Sequence, residues 1–156
     1  KYRLSWGTCK SPPILKGISM SSLIHFDRVY GEAELVSSHF GEVDFEDNWI
    51  LVKRFDLPPT FNFNTTKLLI ILPHNYPESP PESMYIEKGL KKNGITPEHY
   101  FEKNIGDKHI LKKGYAWYSI HFTAWQASSV SMIKGDNLLT ACNALYDALK
   151  YDEGYR

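Results

Sequence analysis

Residues 67–84 read KLLIILPHNYPESPPESM, five consecutive apolar positions running into a turn that carries four prolines. An apolar run of this length predicts a buried strand, and the prolines impose a rigid, non-helical exit suited to holding something in place. Upstream, apolar and polar positions partly alternate over residues 30–45 around Gly31 and Gly41, and residues 49–55, WILVKRF, are rich in strand formers. These segments predict two or three antiparallel strands, joined through LPPTFNFNTT to the buried run as a meander. The first 30 residues give less: Ser11, Pro12 and Pro13 break the pattern, and SSLIHFDRV carries only a weak amphipathic signal. They form an ordered but uncertain flank, which places a domain over residues 30–156 with residues 1–29 attached to it.

Beyond the proline turn, residues 87–113 are polar and lysine-rich, with Gly89, Gly94, Gly106 and Pro97. They predict a long surface excursion with a short helical piece near residues 97–104, and long irregular loops in small domains are often functional. The lysines Lys88, Lys91, Lys92, Lys103, Lys108, Lys112 and Lys113 read as a solvated face, and alternatively as a docking surface or a site of self-modification. In GYAWYSIHF, strand periodicity places Trp117, Ser119 and His121 on one face and Tyr118, Ile120 and Phe122 on the other. The last element is a helix, with Asp136 as the predicted N-cap and Leu138, Leu139, Cys142, Leu145 and Leu149 at helical spacing. Strands followed by a terminal helix give an α+β layered architecture.

Composition narrows the function classes. The chain has 156 residues, 42% hydrophobic and 14% aromatic, enough apolar mass for one packed domain. Basic and acidic residues balance at 18 each, so no global field favours nucleic acid or an anionic membrane, and a protein partner fits better. Two cysteines, Cys9 and Cys142, exclude a disulfide scaffold and a thiolate zinc site and suggest a reducing, cytoplasmic location. No metal and no cofactor is expected. No segment approaches a membrane span of roughly 20 apolar residues, nothing at the start looks like a signal peptide, and the missing initiator Met suggests a trimmed or internal fragment.

The succession of a strand, an LPxxYPxSPP turn, a long loop, a short aromatic segment, a Trp and a terminal helix resembles the ubiquitin-conjugating (UBC, or E2) superfamily. Pro73, Tyr76, Pro77, Pro80 and Pro81 match its proline-rich turn, and Trp125 its downstream Trp. The set Trp117, Ser119, His121, Trp125, Gly135 and Asp136 is similar to a bacterial branch, the prokaryotic family-E E2 proteins. The resemblance implies a UBC-like antiparallel β-meander with a C-terminal helix packed on the sheet. It also implies partners: a ubiquitin-like protein, its activating enzyme and an acceptor protein, in operons with proposed roles in antiviral defence.

The departures from that pattern are equally informative. Ordinary members carry a Gly-x-x-Cys segment whose cysteine forms the thioester, and here Trp117 follows Gly114 at that spacing. The His-Pro-Asn segment is also missing. Cys142 lies on the apolar face of the last helix, where buried thiols act as small hydrophobes, and Cys9 lies in the flank. What remains near the expected position is the Ser119 hydroxyl, which would accept a ubiquitin-like C-terminus as an oxyester.

A neutral hydroxyl needs a base within reach. His121 is the candidate, although two residues along one strand face stand roughly 6.5 to 7 Å apart, so the side chains must converge; His74 or His109 are alternatives. Asp136 is the candidate orienting carboxylate. Trp117, Trp125, His74 and Tyr76 are the candidate substrate-contacting residues. The two indoles are also natural packing residues that would shape a channel for an extended tail, and Tyr76 packs beneath the turn with its hydroxyl bonded. Three readings follow. The first is an E2-like transferase acting through a serine ester, the second a catalytically inactive UBC-fold scaffold that binds the same partners, and the third an unrelated α+β interaction domain sharing only the proline turn.

Overall fold

A computed structural model describes residues 2–4 and 20–152. Cys9 and the break at Ser11 to Pro13 lie outside the described residues. The elements in chain order are β1 (Tyr2–Leu4), α1 (Met20–Phe40), β2 (Val43–Glu46), β3 (Trp49–Asp56), β4 (Thr65–Ile71), β5 (Ser83–Glu87), β6 (Tyr100–Phe101), α2 (Lys108–Lys112), β7 (Tyr115–Ser119) and α3 (Leu138–Tyr151). Among the described residues the strands form one antiparallel sheet in the order β1-β2-β3-β4-β5-β7-β6. β2 to β5 follow one another as the expected meander. β7 then inserts between β5 and the short edge strand β6.

Alternation along the strands sorts the side chains into two faces. Phe45, Ile50, Val52, Leu68, Ile70, Met84, Ile86, Ala116 and Tyr118 point to one face and are buried against α1 and α3. From α3 come Leu138, Ala141, Cys142, Leu145, Ala148 and Leu149, all buried. Leu139 is only partly buried and packs at the margin of this core, a correction to the expected helix face. The cap is corrected too: Asn137, not Asp136, caps α3, its side chain accepting from Thr140 N at 3.0 Å while the Thr140 hydroxyl receives the Asn137 N–H in a reciprocal capping box.

The largest departure from expectation is α1, which is helical across residues 30–40, where strand was expected. Val29, Ala33 and Val36 recur at helical spacing and are fully buried. Two residues hide this pattern from the sequence. Gly31 costs about 1 kcal/mol relative to alanine inside a helix, yet a Cβ there would collide with the Met132 sulfur, so Gly31 lets the 126–136 loop rest on α1. Glu32, fully buried, interrupts the apolar stripe. Gly41, at φ +81, ends the helix by returning its N–H to the Ser37 carbonyl at 2.9 Å, the left-handed stop that glycine favours.

The 88–114 excursion is ordered by its own bonds. Its helical piece lies at α2, not at residues 97–104, because the Asp107 carboxylate accepts from His109 N and Ile110 N at 2.7 and 3.2 Å and caps that turn. Residues 100–101 are instead β6. Of the lysines, Lys92 bonds the Leu149 and Lys150 carbonyls at the end of α3, and Lys88 the Leu111 carbonyl.

Candidate functional site

Ser119 is the last residue of β7, half-buried on the face opposite α1 and α3. Its neighbours across the sheet are Ser83 on β5 and, beyond it, Ile71 on β4. Trp117 and His121 share this face with Ser119, as the alternation predicted, while Tyr118 and Ile120 are fully buried on the other. Because the strand ends at Ser119, the two residues that follow bring the imidazole back. Ser119 Oγ stands 3.4 Å from His121 Nε2. This long contact is short enough for a base and a hydroxyl that tighten around a bound substrate.

The other imidazole nitrogen faces a carboxylate that the sequence did not single out. His121 Nδ1 lies 3.5 Å from Glu82 Oε2, with the two side chains 45% and 41% exposed. Glu82 Oε1 accepts the Phe122 N–H at 3.1 Å. Ser119, His121 and Glu82 thus stand in the order hydroxyl, imidazole, carboxylate.

Asp136, the expected orienting carboxylate, is placed differently. Its Oδ2 accepts the Gln126 N–H at 2.6 Å and its own N–H donates to the Gln126 carbonyl at 2.9 Å, clasping the two ends of the 126–136 loop. His74 is exposed on the proline turn and His109 on α2, so His121 is the imidazole that meets Ser119.

The remaining candidates divide between packing and surface. Tyr76 is 2% exposed, and its hydroxyl donates to Glu32, so it fixes the turn from beneath. Burial, reinforced by the neighbouring Glu32, pushes that hydroxyl far above the usual phenol range. Trp125 donates its indole N–H to the Pro77 carbonyl at 2.8 Å and meets Phe122 edge-on at 5.2 Å, which ties the turn to the segment after His121. Trp117 lies against Phe101 at 5.9 Å and remains partly exposed.

Beside this group a cleft of about 680 Å³ is lined by Ile71, Leu72, Pro73, Pro80, Glu82 and Phe122, with Asn75, Ser79 and Ser83 at its polar positions. It opens over the Ile71–Ser83 row, one strand away from Ser119. Cys142, by contrast, is fully buried and its thiol is pushed up to about 12 by burial, which leaves it inert at neutral pH. Among the described residues no group of three His, Cys, Asp or Glu side chains is placed to hold a metal ion, and no helix is long and apolar enough to cross a membrane.

Residues 27–151 match the family described as Prokaryotic E2 family E. The chain belongs to that family. No curated protein and no solved structure gives a significant match. The meander, α1 and α3 on one of its faces, and the proline turn are therefore those of an α+β, UBC-like fold, and the chain is a prokaryotic E2-like protein.

Proposed function

We propose that this E2-like protein accepts a ubiquitin-like protein from an activating enzyme as an ester on Ser119 and passes it to a nucleophile on an acceptor protein. The observation that carries this reading is the 3.4 Å contact between Ser119 Oγ and His121 Nε2 at a half-exposed strand end. Among the described residues the cysteine is Cys142, sealed in the core, which supports an oxygen nucleophile at this strand end.

The chemistry balances with a ubiquitin-like thioester as co-substrate. Ser119 Oγ attacks the thioester carbonyl, its proton passes to His121 Nε2, and the C–S bond breaks as the sulfur leaves and takes that proton. In the second half the acceptor nucleophile attacks the ester carbonyl and Oγ departs, recovering a proton through the same imidazole. An extended C-terminal tail would lie in the cleft over Ile71 and Ser83, between the proline turn and Phe122, with its last carbonyl at Ser119. Trp117 would line the far side of that path.

The test is to mix the protein with its cognate activating enzyme, ubiquitin-like protein and ATP. The expected product is an adduct that survives thiol reductant, is cleaved by hydroxylamine or mild base, and disappears in Ser119→Ala. An adduct of equal yield on Ser119→Ala removes the serine assignment. If the native protein binds both partners and forms no adduct, it is a UBC-fold scaffold.

A further inference from the structure

We propose that Glu82 is the positioning residue of this site, holding His121 with Nδ1 protonated so that the lone pair of Nε2 faces Ser119; this rests on the serine-ester reading. Two contacts carry it. The carboxylate bridges two successive residues, with one oxygen on the Phe122 N–H at 3.1 Å and the other 3.5 Å from His121 Nδ1. The first bond anchors the carboxylate to the backbone, so the second oxygen is aimed rather than free. An ionised carboxylate only accepts hydrogen bonds, so a bond to it favours the tautomer that carries the proton on Nδ1.

The rest of the turn fixes Glu82 in turn. Glu82 leaves Pro80 and Pro81 directly, and Pro81 is buried. Phe122, which supplies the anchoring N–H, packs against Trp125, and the Trp125 indole is bonded to the Pro77 carbonyl. Both ends of the Glu82–Phe122 link are therefore attached to the proline turn. The rigid exit from β4 serves to deliver a carboxylate to the imidazole.

The pair is about half exposed, so Coulomb attraction between Glu82 and His121 is screened and orientation is the main contribution. The expected loss on removing it is roughly 10- to 100-fold in the rate of adduct formation, short of the roughly 10⁴-fold loss for the acid of a buried serine triad.

Glu82→Gln separates orientation from packing. Its carbonyl oxygen can still accept the Phe122 N–H, which turns the amide NH₂ towards His121 and demands a lone pair on Nδ1. The imidazole should then carry its proton on Nε2, the wrong nitrogen for taking one from Ser119. Long-range ¹H–¹⁵N NMR of the whole protein, with imidazoles neutral, reads this directly. The native protein should show Nδ1–H at His121 and Glu82→Gln should show Nε2–H, with adduct formation slowed 10- to 100-fold.

A native His121 that is mainly Nε2–H overturns the proposal without any variant. So does Glu82→Gln with an unchanged tautomer, whatever its rate. Because the NMR readout needs no partner protein, absence of an adduct from the native protein would sink the ester reading, while the tautomer that Glu82 imposes on His121 would still be decided.

Discussion

Glu32 and Glu82 both meet the proline turn after β4, Glu32 from beneath through the Tyr76 hydroxyl and Glu82 as the last residue before β5, but water reaches only the second. Glu32 is fully buried and has three partners: the Arg28 guanidinium, the Tyr76 hydroxyl and, at 2.8 Å, the Leu138 N–H. It ties α1, the turn and the first residue of α3 together, and its charge sits at a helix N-terminus where an anion is favoured. Glu82 is 41% exposed and holds the backbone N–H of Phe122 and, loosely, an imidazole. A carboxylate saturated in the core can only stabilise. One that keeps a long contact at the surface can exchange it during a reaction.

Breaking the buried member should have the largest effect. Glu32→Ala leaves the nearly buried Arg28 guanidinium without its carboxylate, with the Ser128 carbonyl still accepting from it, and should cost about 3 to 5 kcal/mol of unfolding free energy in a urea titration. A loss below about 1 kcal/mol would mean that the two glutamates are not distinguished by burial in the way drawn here. Leu145→Ala, which empties a fully buried position of α3 without touching a charge, should cost about 2 to 5 kcal/mol and leave tail binding intact in the protein that remains folded. It separates loss of core from loss of network.

A third test uses alkaline pH. The folded Cys142 thiol is pushed up to about 12 from 9.0, and the Tyr76 hydroxyl is raised as well, both chiefly by burial. Above pH 9 the unfolded chain therefore binds fewer protons than the native one, so stability must fall as pH rises. Each such group contributes about 1.4 kcal/mol per pH unit between its unfolded and folded values. Urea midpoints measured across pH 9 to 11 should fall, and Cys142→Ala should flatten the slope. The smallest effect belongs to the surface site: Ser119→Ala should shift stability by no more than about 0.5 kcal/mol while abolishing the ester.

The elements legible in the sequence are those whose signal is local. The five-residue apolar run gave β4, the Trp117, Ser119 and His121 parity gave the face of β7, and the leucine spacing gave α3. At the site, Ser119 and His121 were legible because they are two residues apart in one short segment. Glu82 was not, because it is remote in sequence and reaches His121 only through the β5–β7 pairing. Asp136, the candidate orienting carboxylate and predicted cap, does neither: Asn137 makes the capping box and Asp136 closes a loop.

By itself, then, the order of residues determined the meander, the proline exit and the terminal helix, because period, proline and apolar runs act over a few residues each. Tertiary structure alone decided that residues 30–40 are helical, that a glutamate belongs inside that helix, and which carboxylate meets His121. Each of these depends on a partner far along the chain: Met132 over Gly31, Tyr76 and Leu138 on Glu32, Phe122 on Glu82. A local pattern cannot register a contact whose second half lies forty to a hundred residues away, and such contacts are what this fold uses to place its charged groups.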